Sequence, residues 1–351
     1  MPDAPAPLSQ AIAALSRRES LPETLAAEVF DAVMRGEATP AQLAALLMAL
    51  RVKGETPAEV AGAARALRRA MLRVTTDLPH LIDTCGTGGG AISTFNVSTA
   101  AAFVAAGAGA AVAKHGNRSF TSKCGSADVL EALGIAITLD ATQAAAVLRA
   151  ARVAFLFAPN FHPSMRHVGP VRRELGITSI MNLVGPLANP AGVRRQVVGV
   201  ADRDRAPLLA GALALLDTEH ALVVHGRVGM DEVSPQGLTD VWEVRDGTIR
   251  EWTIEPAALG LEVRDLTTLR GGTPEENASR LERLLGDGKR DADGQAAVLL
   301  NAAAALYVAG IAGTLAQGVD AARAAIQSGA ARDALVMMKL ASVTAGANSA
   351  G

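Results

Sequence analysis

The glycine-rich loop Asp83–Gly90, with the sequence DTCGTGGG, is the strongest candidate for chemistry in the chain. It follows a short apolar run, and its glycines permit positive φ and leave backbone N–H groups accessible to an anion. Asn96–Thr99 begins a helix shortly afterwards and adds a helix N-terminus and two hydroxyls. Together these features predict a phosphate site; for the loop alone, a plain strand-to-helix turn is the alternative. Neither a Walker loop nor a Gly-x-Gly-x-x-Gly loop matches, which disfavours nucleoside triphosphates and nicotinamide cofactors.

A basic loop, residues 114–126 (KHGNRSFTSKCGS), follows the next apolar run. The carboxyl ends of parallel strands open onto one edge of a sheet, so we expect this loop to lie beside the glycine loop. Lys114, Arg118 and Lys123 would then face a polyanion, together with the glycine, asparagine and serine donors between them. The alternative is a solvated charged loop, and His115 taken alone is more often structural.

Two further segments carry charged groups suited to a site. Asp231 and Glu232 follow an apolar run that ends near Val224, and paired carboxylates suit Mg²⁺ bridging to phosphate, although an isolated acidic pair is usually solvated. Arg172 and Arg173 lie in a helical pattern, where consecutive side chains point ~100° apart, so only one of them can face a pocket. That arginine could form a planar fork to a carboxylate; an ion pair with a neighbour or exposure to solvent is the alternative.

The elements that must position these loops change character along the chain. Residues 8–74 carry apolar residues at three- and four-residue spacing, and Thr39-Pro40 and Thr56-Pro57 are typical helix starts. Beyond this region short apolar runs alternate with helical patterns, which predicts a parallel sheet with helices on its faces. Residues 241–254 predict an antiparallel hairpin with an Asp-Gly turn, and residues 275–338 are again helical.

Composition argues against several classes of function. The chain has 351 residues, enough for about two domains, and its 33 Lys and Arg against 35 Asp and Glu leave a net charge of −2. With no basic excess and only 3% aromatic residues, we expect no nucleic-acid partner. The two cysteines suit a reducing compartment. We expect no signal peptide and no membrane partner, since no apolar run reaches the ~20 residues of a span, and hence a cytoplasmic protein.

Several motifs resemble the anthranilate phosphoribosyltransferase family, of the nucleoside phosphorylase-like class III type: Gly86-Thr87-Gly88-Gly89, Asn96–Thr99, Lys114–Arg118, Gly125–Asp128, Asn189-Pro190 and Asp231-Glu232. The resemblance runs from the N-terminal helices to the end of the chain. It implies an α/β protein with a small N-terminal all-helical domain, residues 1–76 joined by part of 167–192. The larger α/β domain, residues 77–351, would have a mostly parallel central sheet with helices on both faces. The resemblance also implies a homodimer.

The resemblance further implies a Mg²⁺-dependent enzyme of tryptophan biosynthesis, in which the amine of anthranilate displaces pyrophosphate from 5-phosphoribosyl diphosphate (PRPP). Carried over by position, the PRPP-binding residues would be Gly86, Gly89, Gly90, Thr94, Asn96, Val97, Ser98, Thr99, Lys114, His115, Gly116, Asn117, Arg118, Ser119, Phe120, Thr121, Ser122 and Ser126. The Mg²⁺ ligands would be Ser98, Asp231 and Glu232, and the anthranilate contacts Gly86, Asn117, His162 and Arg172. Lys114, His115, Asn117 and Arg172 would act electrostatically and by positioning, with no acid or base catalyst and no nucleophilic cysteine.

The chain departs from the family pattern at several positions. Gly90 stands where the family usually has Asp, next to the expected metal and PRPP sites, so the number of bound Mg²⁺ ions is left open. Ala188 stands where Thr is common, and Thr178–Asn182 replaces a more usual Arg-Thr-x-Phe-Asn, so we expect the packing of anthranilate to differ. Cys124 occupies a position usually held by Ser, which is a mild change.

Two other functions compete with this interpretation. A pyrimidine nucleoside phosphorylase shares the fold and the glycine loop but has no use for Asp231-Glu232. A non-catalytic paralogue that binds nucleic acid needs a strongly basic face, which a net charge of −2 does not favour.

Overall fold

The N-terminal region is a bundle of four helices: α1 (Pro7–Ser16), α2 (Glu23–Met34), α3 (Pro40–Lys53) and α4 (Pro57–Ala70). The computed structural model describes residues 7–90, 92, 94–119, 123–286 and 290–347. Thr39 and Thr56 each cap a helix whose first residue is proline, and each completes a reciprocal capping box, with Gln42 and Glu59 respectively. The two helix starts predicted from the Thr-Pro pairs are therefore confirmed.

The α/β region is built on a seven-stranded sheet with the order β3-β2-β1-β4-β5-β6-β7. Its strands are β1 (Leu81–Gly86), β2 (Ala111–Gly116), β3 (Val153–Phe157), β4 (Arg195–Gly199), β5 (His220–Gly226), β6 (Thr239–Arg245) and β7 (Thr248–Ile254). β1 to β5 are parallel, and β6 and β7 form an antiparallel hairpin with Asp246 and Gly247 both at positive φ. The predicted mostly parallel sheet is confirmed, and so is the Asp-Gly hairpin, whose two-residue turn favours positive φ at both positions.

Helices cover both faces of the sheet. Those after β1 are α5 (Val97–Gly107), α6 (Ser126–Ala132), α7 (Ala141–Ala151), α8 (Ala158–Phe161), α9 (Gly169–Leu175), α10 (Met181–Val184), α11 (Ala206–Leu215), α12 (Pro274–Gly286), α13 (Ala292–Ala309), α14 (Leu315–Gln327) and α15 (Ala330–Ala347). α5 begins at Val97 with Asn96 at the N-cap, within the predicted start Asn96–Thr99. By length and composition alone α13 could cross a membrane, but most of it is buried inside the domain, like the core helix of a globular protein.

Two apolar clusters fill the structure, one on each face of the sheet. The larger packs α5, α7 and α12 to α15 against the sheet. The second joins the helical bundle to apolar residues between 168 and 188, to α11 and to the other face of β4, β5 and β6. Within β4, Val197 belongs to the first cluster and Val198 to the second, because successive side chains of a strand point to opposite faces. The bundle therefore shares one apolar core with α11 and with this face of the sheet.

β1 changes its hydrogen-bonding partner partway along its length. Its ladder with β2 covers only Leu81 and Ile82, whereas residues 83–86 pair with residues 196–199 of β4. The chain order also reverses at β1, since β2 and β3 lie on one side of it and β4 and β5 on the other. Ligands of such sheets bind outside the carboxyl ends of the strands at this reversal. The end of β1 is therefore where a site is expected.

Candidate active site

The glycine loop after β1 and the turn after β5 meet at the carboxyl end of β4. In the glycine loop, the Thr87 N–H donates to the Gly199 carbonyl at the end of β4, over 2.8 Å. The turn after β5 passes so close to β4 that a β-carbon built on Gly199 would lie 1.6 Å from the Asp231 carbonyl oxygen. Any larger residue at 199 would displace this turn. The backbone itself thus brings the glycine loop and the carboxylate pair together.

The two carboxylates of this turn have different partners. The Asp231 carboxylate lies between the two ends of the glycine loop, with Oδ2 3.2 Å from a β-carbon built on Gly86 and Oδ1 2.9 Å from one built on Gly90. Glu232 Oε2 accepts a hydrogen bond from the Thr94 hydroxyl at 3.1 Å. Burial raises the pKa of Asp231, and burial together with the adjacent Asp231 raises the pKa of Glu232 to about 8.

This donor set fits a hard divalent cation. Neighbouring buried carboxylates oppose each other's ionisation, and a bound Mg²⁺ would stabilise both ionised forms. Ser98, the third predicted ligand, lines a cavity of about 20 Å³ with Asp231 and Glu232, room for about one water molecule. Within the described part of the chain no cluster of three or more His, Cys, Asp or Glu residues is suited to a metal. Water or substrate oxygens would therefore complete the coordination, as is usual for Mg²⁺.

Lys114 lies deeper than the sequence predicts. It belongs to β2 and not to the loop that follows, and it is only 3% exposed. Its ammonium group donates to the Thr84 carbonyl and, over 3.2 Å, to the Ser98 hydroxyl. Burial lowers the pKa of Lys114, and the carboxylates of Asp83 and Glu232 oppose that change. Lys114 thus connects β1, β2 and α5 beneath the site.

Arg118, also predicted to face a polyanion, is paired with protein carboxylates in the structure. Its guanidinium lies 2.9 Å from Asp128 and 2.5 Å from Glu131, both on α6, and stacks 5.7 Å above the ring of Phe157. Asp128 also accepts from the Gly125 N–H at 2.8 Å. The N-terminal turn of α6 therefore anchors the basic loop, while Lys123 is exposed.

The other predicted PRPP residues fall into three groups. Exposed or half-buried at the rim are Gly86, Gly89, Gly90, Thr94, Asn96, Ser98, Gly116, Asn117, Ser119 and Ser126. Buried in the interior are Val97, Thr99 and His115, whereas Phe120, Thr121 and Ser122 lie outside the described residues. The Asn96 side chain is held on both sides, because it donates to the Cys124 carbonyl at 3.2 Å and accepts from the Asn277 amide at 2.9 Å.

Asp83 and Asn189 fill the gap where β1 leaves β2. Asp83 accepts from the His115 backbone N–H at 3.1 Å and from the Asn189 side-chain amide at 2.8 Å. The same amide group donates to the Ala113 carbonyl at 2.7 Å, so these side chains replace the missing ladder bonds. Burial raises the pKa of Asp83 to about 6. This network fixes the end of β2.

His115 and His162 form a buried pair beside that network. Their Nε2 atoms lie 3.1 Å apart and their ring centroids 5.0 Å apart. Burial lowers the pKa of His115 to about 3 and that of His162 to about 4. Both rings are therefore neutral near pH 7, and one donates its Nε2 proton to the other. The pair joins β2 to the segment after α8.

Arg172, on α9, is the arginine that faces inward. It is half-buried, whereas Arg173 and Glu174 are exposed. Burial lowers the pKa of Arg172, and no carboxylate among the described residues opposes that change. A partly buried guanidinium without a nearby anion is well suited to pair with the carboxylate of a ligand.

The sequence did not reveal the polar residues that support the site from behind. Asn277 and Asn301 were not predicted as site residues, and Asp83, although it begins the DTCGTGGG motif, was given no role of its own. Asn301, on α13, holds the backbone N–H and carbonyl of Val233 at 3.0 and 2.9 Å, just after the carboxylate pair. A usable signal existed for two of them, since Asp83 and Asn301 are lone polar residues within apolar runs.

Similarity to known proteins covers nearly the whole chain. Residues 78–332 match the family model described as "Glycosyl transferase family, a/b domain", and residues 9–71 match "Glycosyl transferase family, helical bundle domain". The anthranilate phosphoribosyltransferase of Chloroflexus aggregans is 51% identical over 332 residues, which cover 94% of this chain and 97% of the relative. That of Thermomicrobium roseum is 53% identical over 319 residues, covering 90% and 91%.

Solved structures agree with this similarity. The anthranilate phosphoribosyltransferase of Thermus thermophilus superposes with a TM-score of 0.89 at 41% identity, covering 96% of this chain and 99% of that one. The Saccharomyces cerevisiae enzyme in complex with PRPP and Mg superposes with a TM-score of 0.87 at 29% identity, covering 97% and 99%. Fold and site together define a two-domain glycosyl transferase. Within that class, the chain belongs to the anthranilate phosphoribosyltransferase family.

Proposed function

We propose that the chain transfers the 5-phosphoribosyl group of PRPP to the amine of anthranilate and releases pyrophosphate. The observation that carries this proposal is the meeting of the glycine loop, the start of α5 and the Asp231-Glu232 turn at one sheet edge. Anion-binding backbone faces a carboxylate pair there, which suits a diphosphate bridged by Mg²⁺. The relatives that carry this enzyme name span nearly the whole chain, which also supports the proposal.

The phosphates of PRPP would contact backbone N–H groups of the glycine loop and of the α5 start, as oriented dipoles favour anions at such sites. Side chains of Thr94, Asn96, Ser98 and Ser126 stand at the same rim and supply further donors. Arg118 and Ser119 would contact the phosphates from the basic loop. Lys114 would act from beneath, by orienting the Ser98 hydroxyl to which it donates.

Mg²⁺ would be held by Ser98, Asp231 and Glu232. When bound, the cation neutralises charge that develops on the departing pyrophosphate. As the bond between the anomeric carbon and the pyrophosphate oxygen breaks, the ribose gains positive charge and the pyrophosphate gains negative charge. Backbone N–H groups and basic side chains that face the pyrophosphate would therefore bind it more strongly as the reaction proceeds, which is how differential binding accelerates a reaction.

Anthranilate would lie on the side of Arg172, whose guanidinium can form two parallel hydrogen bonds to the carboxylate of the acceptor. Gly86 and Asn117 would contact it from the two loops, and His162, neutral at physiological pH, would line the access path. An aromatic amine is unprotonated near neutral pH, so positioning suffices for attack and no base catalyst is needed.

The test is an assay that follows anthranilate fluorescence in the presence of PRPP and Mg²⁺. We expect the fluorescence to fall as phosphoribosyl anthranilate forms, and EDTA in excess of Mg²⁺ to stop the change. Uridine with phosphate replaces the substrates in a parallel reaction, which tests nucleoside phosphorolysis. Conversion of uridine without consumption of anthranilate would overturn the proposal.

We also propose that the protein is a cytoplasmic homodimer joined through the helical bundle. α3 presents an exposed small and apolar stripe of Ala41, Ala45, Met48 and Val52, with Val52 69% exposed. Residues at this spacing lie on one helix face and could pack against a second copy. The chain contains only two cysteines, Cys85 and Cys124, which suits a reducing compartment.

The dimer proposal is tested by Val52→Glu, which places a charge on the most exposed residue of the stripe, at its C-terminal end. We expect sedimentation equilibrium to show a monomer for this variant and a dimer for the unmodified chain. Val343→Glu, on the exposed side of α15, is the matched control because Val343 is 52% exposed and lies outside the bundle. Equal masses for all three proteins would contradict the proposed interface.

A further inference from the structure

The side chain of Asp231 fills one face of the glycine loop. Its carboxylate oxygens lie 3.2 and 2.9 Å from the points where β-carbons on Gly86 and Gly90 would stand, so the group sits between the two ends of the loop. At Gly88 and Gly89, both at positive φ, nothing lies within 4 Å of the corresponding points. The loop therefore has an open face and a face filled by an anion of the protein.

The backbone of Asp231 is fixed, so only its side chain is able to leave the loop. The Asp231 carbonyl rests against Gly199, where no β-carbon could be accommodated. Gly226 and Met230 close the preceding turn with two backbone hydrogen bonds, of 2.9 and 3.2 Å, and Asn301 holds Val233 on the other side. Rotation about the Cα–Cβ bond of Asp231 is the motion that would empty the loop.

The Asp231 carboxylate lies where a phosphate would approach the loop backbone. Its oxygens lie beside Gly86 and Gly90, and backbone N–H groups of such loops bind carboxylate and phosphate oxygens alike. Glu232 has a different partner, since its carboxylate accepts from the Thr94 hydroxyl at 3.1 Å. Of the two adjacent acids, Asp231 is therefore the one that competes for the loop.

We infer that the Asp231 carboxylate is a tethered anion that occupies the diphosphate's place in the glycine loop and leaves it when a cation binds beside Glu232. The inference rests on the proposed function and adds a rule of regulation to it. Without a cation, the Asp231 carboxylate in the loop repels the diphosphate. When a cation is bound, the same carboxylate becomes a ligand of the cation and leaves the loop free for the diphosphate. Cation and diphosphate therefore bind cooperatively, and each raises the affinity for the other.

Calorimetric titration of the full-length protein with inorganic pyrophosphate in EDTA tests this inference. The unmodified chain, Asp231→Asn and Glu232→Gln are compared at a pH above the Glu232 pKa of about 8, so that each substitution removes one full charge. We expect Asp231→Asn to bind pyrophosphate at least about tenfold more tightly than the unmodified chain, because a competing like charge is gone. Glu232→Gln should change the affinity for pyrophosphate by no more than about threefold, since this substitution removes only the general repulsion between two negative charges.

Asp231→Ala repeats the measurement without an amide that could bond to the loop backbone, and thermal unfolding checks that each variant is folded. With Mg²⁺ the order should reverse, so that the unmodified chain binds pyrophosphate more tightly than Asp231→Asn. Equal gains for Asp231→Asn and Glu232→Gln in EDTA would overturn the inference. If the unmodified chain makes phosphoribosyl anthranilate all the same, the proposed function stands; absence of that product refutes the function separately.

Discussion

The proposed phosphate side and the proposed acceptor side of the site balance their charges differently. On the phosphate side, Lys114 is hydrogen-bonded beneath α5 and Arg118 is paired with two carboxylates of α6. On the acceptor side, Arg172 stands on the short helix α9 with no opposing carboxylate among the described residues. The phosphate side must therefore exchange partners when a polyanion binds, whereas the acceptor side needs only an anion of the right shape.

This difference separates the expected effects of substitutions. Changes on the phosphate side alter groups whose charge matters most as pyrophosphate departs, so they should lower kcat. A change at Arg172 removes an interaction present before and during the reaction, so it should raise the KM for one substrate. Substitutions on each side of the site test this separation between effects on kcat and effects on KM.

The largest effect is expected from Asp231→Asn combined with Glu232→Gln. Both anionic ligands are lost, so Mg²⁺-dependent turnover should fall by at least about a hundredfold, with kcat affected most. Steady-state anthranilate fluorescence at several Mg²⁺ concentrations gives the measurement. Asp246→Asn, in the β6–β7 turn at positive φ, is the matched control and should keep full activity. Unchanged turnover in the double variant would refute the metal assignment.

An intermediate effect is expected from Arg172→Ala. Loss of a charged hydrogen-bonding group costs about 1.5–3 kcal/mol, so the KM for anthranilate should rise by roughly 10–150-fold while the KM for PRPP stays within about twofold. The neighbouring Arg173→Ala is the control, because Arg173 is exposed, and should leave both values unchanged. Equal losses for both substrates would place Arg172 outside the acceptor site.

The smallest effect is expected at the histidine pair, between the two sides. The folded-state pKa of His162, about 4, lies below the usual value of 6.5, so the pair stabilises the fold above pH ~6.5 and this contribution is lost as the pH falls towards 4. At pH 5 the loss from His162 is about 2 kcal/mol. Between pH 7 and pH 5, the free energy of unfolding measured by urea denaturation should therefore fall by about 2 kcal/mol less in His162→Gln than in the unmodified chain. Identical acid sensitivity in both proteins would show that His162 titrates normally.

Local signals in the sequence predicted the elements well. Thr39 and Thr56 with their following prolines fixed two helix starts, and the apolar runs located strands β1 to β5 because buried parallel strands need such runs. The family resemblance and the mostly parallel sheet are confirmed. The roles of individual site residues stay predictions, to be settled by the variants above.

Long-range contacts account for what the sequence did not predict. Asp83 and Asn189, which are hydrogen-bonded to each other, lie 106 positions apart in the sequence. No local pattern shows that β1 pairs with β2 only at Leu81 and Ile82. The charge of Lys114 ends the apolar run and therefore predicts a loop, yet β2 continues to Gly116. Lys114 can be buried in the strand because its ammonium group has two hydrogen-bond acceptors. Arg118 pairs with Asp128 and Glu131, in the first and second turns of α6, and the orientation of that helix depends on the whole fold.

The apolar cluster shared by the bundle, α11 and the sheet restricts the ways in which enzymes of this family can evolve. Removing the residues before β1 would expose apolar residues of α11 and of segment 168–188 that belong to the same cluster, so the N-terminal helices are not a detachable module. We expect calorimetry to record one melting transition for the whole chain. New acceptor specificities are then more accessible through short segments such as α9 than by exchange of an entire helical unit.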